Sequence, residues 1–188
     1  MVVDRDSANW RLFGGGGLLV GGLLLLIGAA VYFTGYGPVS TWVQVIGVLV
    51  IGVALFLVAF GQTGSNGAVG ADVFGKAALV AFGIGWLVAG LLWALAAAGV
   101  AGPLALDYIA VALVVVAGIL SAVAIYRRGV ARGAARWALA LPVAWGIVWA
   151  IHQLGWVSFL GSAVISVVLG ALYAVTGLLY LLNSRTIG

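Results

Sequence analysis

Uninterrupted apolar runs of bilayer length leave this chain little choice of solvent. They cover residues 13–34, 40–61, 75–98, 104–126, 136–154 and 157–182. A helix rises 1.5 Å per residue and needs about 20 apolar residues to cross roughly 30 Å of hydrocarbon. Only 6% of the residues are charged, against roughly 25% in ordinary soluble domains. That is too little polar surface to cover a water-soluble globule, and apolar exposure on this scale calls for lipid. The runs are continuous, whereas barrel strands would be segments of about 10 residues with alternating polarity. A helix also satisfies its own backbone polar groups, as hydrocarbon demands. The expected fold is all-α: a polytopic membrane bundle of six transmembrane helices forming a single domain over residues 1–188.

The breaks between runs carry turn chemistry. Gly35-Tyr36-Gly37-Pro38 and Gly99-Val100-Ala101-Gly102-Pro103 are tight Gly/Pro turns. Residues 62–71 read as a longer polar loop and 127–136 as a basic loop with Gly129 and Gly133. The break at Gly155-Trp156 is the weakest, but one helix over 136–182 would far exceed a single crossing. The first run, with Arg5 and Arg11 before it and Gly28-Ala29-Ala30 near its end, resembles a signal peptide. It exceeds the usual apolar core of about 7–15 residues, so it reads as a span.

Orientation follows from charge. All eight basic residues (Arg5, Arg11, Lys76, Arg127, Arg128, Arg132, Arg136 and Arg185) fall in the N-terminus, the second and fourth loops and the C-terminus. None falls in the other three loops. By the positive-inside rule the basic side is cytoplasmic. The chain is therefore expected as three helical hairpins in the cell (inner or plasma) membrane, with both termini in the cytoplasm. The same placement accounts for the sequence pI near 9.9 without a nucleic-acid partner.

Lipid is as apolar as leucine, so helices associate through close backbone approach over small residues and through interhelical hydrogen bonds. Candidate packing faces are Gly14, Gly17, Gly21 and Gly28 in the first span, with Gly17 and Gly21 as a GxxxG pair. In the last span, Ser158, Ser162, Ser166, Gly170 and Ala174 recur every fourth residue. A weak internal repeat sets Gly47 and Ala54, Val111 and Gly118, and Gly170 and Gly177 at equal seven-residue spacing. Pro142 inside the fifth run is expected to remove a backbone bond and kink the helix. Trp10, Trp42, Trp137 and Trp156 read as interface anchors, and the pairs Trp86/Trp93 and Trp145/Trp149 as packing or lipid-facing stripes.

Little here carries chemistry. Ionisable residues near mid-span, the usual mark of an ion or proton path, are absent from the sequence. One histidine, no cysteine and no glutamate build neither a zinc site nor a thiol nucleophile. No cofactor is expected, and the chain reads as non-enzymatic. The candidate external polar cluster is His152, Asp107, Gln44 and Gln153, with His152 as an acid-sensing group paired to Asp107. Arg127, Arg128, Arg132 and Arg136 are candidate contacts for anionic lipid headgroups. Expected partners are membrane lipids, a second copy of the chain or another membrane protein.

Three hairpins with Gly28, then Pro38, then Gly47 in the first, and Leu169-Gly170 followed by Thr176-Gly177-Leu178 in the third, resemble the HdeD-like acid-resistance membrane proteins. The third hairpin departs from that pattern in lacking a turn proline. The resemblance implies a non-enzymatic inner-membrane protein linked to stress and assigns no catalytic residues. The competing expectations are a small transporter, channel or export accessory with a path between hairpins, and a membrane-embedded enzyme acting on lipid.

Overall fold

The computed structural model describes residues 10–61, 67–128, 131–154 and 161–182, with Arg128 and Ser162 described by backbone alone. Arg5, residues 62–66, Gly129, Trp156, Ser158 and Arg185, all named above, lie outside the described residues. Within them, six helices are long and apolar enough to cross a membrane: α1 (Trp10–Phe33), α2 (Gly37–Phe60), α3 (Val73–Ala97), α4 (Leu104–Arg127), α5 (Gly133–Gln153) and α6 (Ala163–Leu182). The fold is the all-α, six-span bundle that the apolar runs require. Two of the turns at one end use glycine with positive φ, Gly35 at 88° and Gly99 at 75°, a conformation that costs other residues a Cβ clash.

The helices form a closed circuit in chain order, each antiparallel to its neighbours, with α6 returning to α1. α1 is seated between α2 and α6. Its glycines divide into two seams. Gly14, Gly17, Gly21 and Gly28 face Val58, Ala54, Gly47 with Ile51, and Gln44 on α2. Gly15 and Gly22 face Gly177 and Gly170 with Ala174 on α6. Within each seam the spacing of seven keeps small residues on one stripe while antiparallel helices wind about each other. The approach is backbone to backbone: a Cβ on Gly22 would meet the main chain of Gly170 and Ala174, and one on Gly21 would meet the Gly47 carbonyl at 2.9 Å. A third seam, Gly52 against Gly83, joins α2 to α3. α5 is held more lightly, and two hydrogen bonds tie it to α6. Trp145 Nε1 donates to the Ile165 carbonyl at 3.1 Å. The Thr176 hydroxyl lies 2.8 Å from the carbonyls of both Ala138 and Leu172.

The interior of the circuit is filled by rings. Trp86 of α3 lies 5.3 Å from Trp149 of α5 and 5.8 Å, edge to face, from Tyr173 of α6, with Phe82 one turn away. Trp86 and Tyr173 are fully buried. The aromatic stripes of α3 and α5 thus supply one packing ring each to the centre, and Trp93 and Trp145 stay half-buried beside it.

Four local features depart from the sequence reading. Trp10 is not an interface anchor: it is 1% exposed and packs edge-on against Tyr180 of α6 at 5.3 Å. Trp42 and Trp137 are exposed near span ends. Pro142 does not kink a helix interior. Regular α-helix in α5 begins only at Ala140, after a 3₁₀ turn at Gly133–Arg136. Pro142 therefore sits in the first turn, where its missing N–H would have had no intrahelical partner. α4 carries a π-helical stretch, Leu113–Ala117, closed by a 2.6 Å bond from the Ser121 hydroxyl to the Ala117 carbonyl. The described part of the 62–71 loop is not simply polar and wetted: Ala68 and Val69 are buried, and Ala68 N–H caps the end of α2 by donating to the Val58 carbonyl at 2.8 Å.

Gly22 and Gly16 make a matched test of the seams. Gly22→Ala is expected to cost about 1–3 kcal/mol through overpacking against backbone that cannot rotate away. Gly16, whose Cβ position meets nothing within 4 Å, should tolerate alanine and gain up to about 1 kcal/mol of helix propensity. Thermal unfolding of both variants in detergent measures the difference; equal midpoints would remove the close-approach account of α1.

Candidate functional site

Among the described residues, polar side chains gather in three places. The first is a clasp across α1, α2 and α6. Ser40 sits one turn into α2 and is buried at 1% exposure. Its hydroxyl donates to the Gly28 carbonyl of α1 at 2.8 Å. Gln44, one turn further on, donates from Nε2 to the Ser40 hydroxyl at 3.1 Å. Its Oε1 accepts from the Ser166 hydroxyl of α6 at 2.9 Å. The chain Ser166–Gln44–Ser40–Gly28 crosses three helices without a charge. Gly28 is part of it, because a Cβ there would strike the Gln44 side chain.

The second place is a cavity of about 220 Å³ between α4 and α5, lined by Leu104, Asp107, Tyr108, Val111, Gln153 and Leu154. Asp107 stands in the first turn of α4, where a carboxylate is favoured by the helix dipole. The structure therefore divides the four residues grouped from sequence. Asp107 and Gln153 share this cavity, Gln44 is tied into the three-helix clasp, and His152 is half-buried beside Gln153 in the last turn of α5. Gln153 and His152 are neighbours in sequence, so helical geometry turns them roughly 100° apart, and His152 is not among the residues lining the cavity.

The third place is the opposite, arginine-bearing end. Arg136 donates from Nε to the Tyr126 carbonyl at 2.6 Å and stands 4.6 Å over the Tyr126 ring, which stacks in turn on Trp137 at 4.2 Å. This knot fixes the turn between α4 and α5. Lys76 lies 5.9 Å over the ring of Phe60. Arg127 lines a cavity of about 230 Å³ with Asp72, Phe74, Leu120, Val123 and Ala124. The four arginines grouped from sequence thus have separate positions: Arg136 braces the fold, Arg127 borders a cavity, Arg132 precedes the 3₁₀ turn, and Arg128 follows directly on α4.

The small-residue candidates sit on helix seams. Gly17 opposes Ala54, Gly21 opposes Gly47 and Ile51, and Gly170 opposes Gly22 and Leu25. Ser166 enters the clasp, and Ser162 lies at the start of the last helix. The clasp itself is not legible from spacing, since Gln44 and Ser166 are 122 residues apart. A polar residue inside an apolar run is the available signal, and it names Gln44 but not its partner.

Comparison with family models, with curated proteins and with solved structures finds no match for this chain.

The clasp invites a double-mutant cycle of Gln44→Met and Ser166→Ala. Hydrogen bonds between membrane helices couple by about 0.6 kcal/mol on average and by no more than about 1.7. A coupling within that range, read from unfolding in detergent, is expected; additive effects would show that the bond contributes nothing.

Proposed function

We propose that this integral membrane protein is non-enzymatic and non-conducting, and acts through its packed form and its lipid-facing surface. The observation that carries this reading is the ring stack at the bundle centre. Trp86, Trp149 and Tyr173 come from three different helices and meet where a water path through the circuit would run. A path between hairpins would require Trp86 to leave that position, opening a cavity and forfeiting buried aromatic packing worth about 3–5 kcal/mol. Against an enzyme stands the side-chain inventory. The sequence has one histidine and no cysteine or glutamate, and no three His, Cys, Asp or Glu residues converge among the described residues.

The orientation belongs to the same proposal. The antiparallel circuit puts Arg11, Lys76, Arg127, Arg132 and Arg136 at one end and Asp107 at the other. The positive-inside rule supports reading the first end as cytoplasmic, with both termini on that side and the cell membrane as the host bilayer. The link to acid or general stress rests on the resemblance to HdeD-like proteins alone.

The absence of cysteine makes the orientation simple to test. On intact cells a membrane-impermeant maleimide should label Val100→Cys and spare Ala134→Cys, with both labelled after lysis. Purified protein in liposomes should hold a proton gradient as long as empty liposomes do; faster collapse would overturn the non-conducting reading. For the stress role, a deletion strain should lose viability on acid challenge and regain it with the intact gene.

A further inference from the structure

The end of the bundle that carries Asp107 has no lysine or arginine to offer it. All eight in the sequence fall in the N-terminus, the second and fourth loops and the C-terminus. Asp107 is half-buried in the first turn of α4, and among the described residues its carboxylate has neither an ion pair nor a hydrogen bond. His152, which could become cationic by taking up a proton, does not line the cavity beside Asp107 and has an interaction of its own.

Gln153 stands apart in the same way. The other serine, threonine and glutamine side chains described in the structure each make a hydrogen bond within the protein. Gln153 makes none, although it ends a span. Asp107, Gln153 and Tyr108 all line the cavity of about 220 Å³ between α4 and α5, with Leu104, Val111 and Leu154 as its apolar part. The polar side chains that join helices are elsewhere; these three surround a space. That space is smaller than the roughly 300–1,000 Å³ of pockets for drug-sized ligands, so its occupant is a group of a few heavy atoms.

We infer that this cavity binds a primary ammonium on a short stem. The carboxylate supplies the opposite charge that the chain itself does not. The Asp107, Tyr108 and Gln153 side chains offer oxygen acceptors to the three N–H donors of such a group, and the leucines and valine pack on the stem. A quaternary ammonium carries the same charge but donates no hydrogen bond, so it is discriminated against. A calcium ion takes about 6–8 oxygen ligands, more than these side chains supply. Primary ammoniums of this kind occur both as the aminoethyl head of a phospholipid and as free amines in the aqueous phase. The site goes beyond the packed, non-conducting role proposed above and is independent of which end faces the cytoplasm.

The test is a fluorine resonance from 3-fluorotyrosine placed at Tyr108 in the full-length protein, held in phosphatidylcholine nanodiscs. Ethanolammonium chloride is expected to move the resonance saturably, and tetramethylammonium chloride at equal ionic strength is not. Asp107→Asn should weaken the response about ten-fold or more, as loss of a charge-assisted contact predicts. Gln153→Glu adds a second carboxylate and should tighten binding by about as much, which a misfolded variant would not do. Replacing part of the nanodisc lipid by phosphatidylethanolamine should give the same shift without free amine if the headgroup is the source; a shift from the free amine alone assigns the site to a soluble amine. An unmoved resonance in every arm, an equal response to tetramethylammonium, or unchanged affinity in both carboxylate variants would overturn the site.

Discussion

The structure depends on direct contact between helix backbones in a solvent that does nothing to push helices together. In water a bundle coheres because its apolar faces leave the solvent; in hydrocarbon that incentive is gone. What remains is dispersion between closely matched surfaces, which falls off steeply with distance. The two glycine seams of α1 bring its main chain against α2 on one side and α6 on the other. The Gly52–Gly83 seam extends the same device to α3. Bulkier residues fill the middle of the circuit once the helix axes have been drawn in.

Hydrogen bonds act as register marks on this frame. The Ser166–Gln44–Ser40–Gly28 chain fixes α1, α2 and α6 relative to each other near the end of the bundle that carries Asp107. Thr176 and Trp145 do the same for α5 against α6. Each is modest in energy, because a helix separated from the bundle but still in the membrane finds substitute partners on its own backbone. Their value is angular: a slip of α6 by one residue would set Ile165 or Val167 where Ser166 meets the Gln44 amide. Burial without a partner is also tolerated here. Among the described residues, the indole N–H of Trp10 and the hydroxyl of Tyr180 are buried without one.

Span number and approximate limits were legible because hydrophobic length and charge placement act one residue at a time. The α2-facing seam of α1 was legible for a related reason, since a glycine stripe inside a span marks close approach even when the partner is unknown, whereas its α6-facing pair, Gly15 and Gly22, was not singled out. Everything that depends on pairing escaped. Trp10 looks like any interfacial tryptophan until Tyr180, at the far end of the chain, is found against it. Pro142 reads as interrupting a run because hydropathy registers the apolar residues before it, although the backbone there is not yet α-helical. The π-helical stretch in α4 has no spacing of its own, since one extra residue per turn leaves an all-apolar run unchanged. The polar residues near Asp107 shared a level along the axis, but only the rotation of each helix decides which of them meet.

The seam between α1 and α6 joins two helices that are far apart in the chain. During synthesis α1 leaves the ribosome with one glycine face matched by α2 soon after, while Gly15 and Gly22 wait for a surface that does not yet exist. The nascent bundle is thus an open arc with an unmatched edge. Closure comes only with Gly170 and Gly177 of α6.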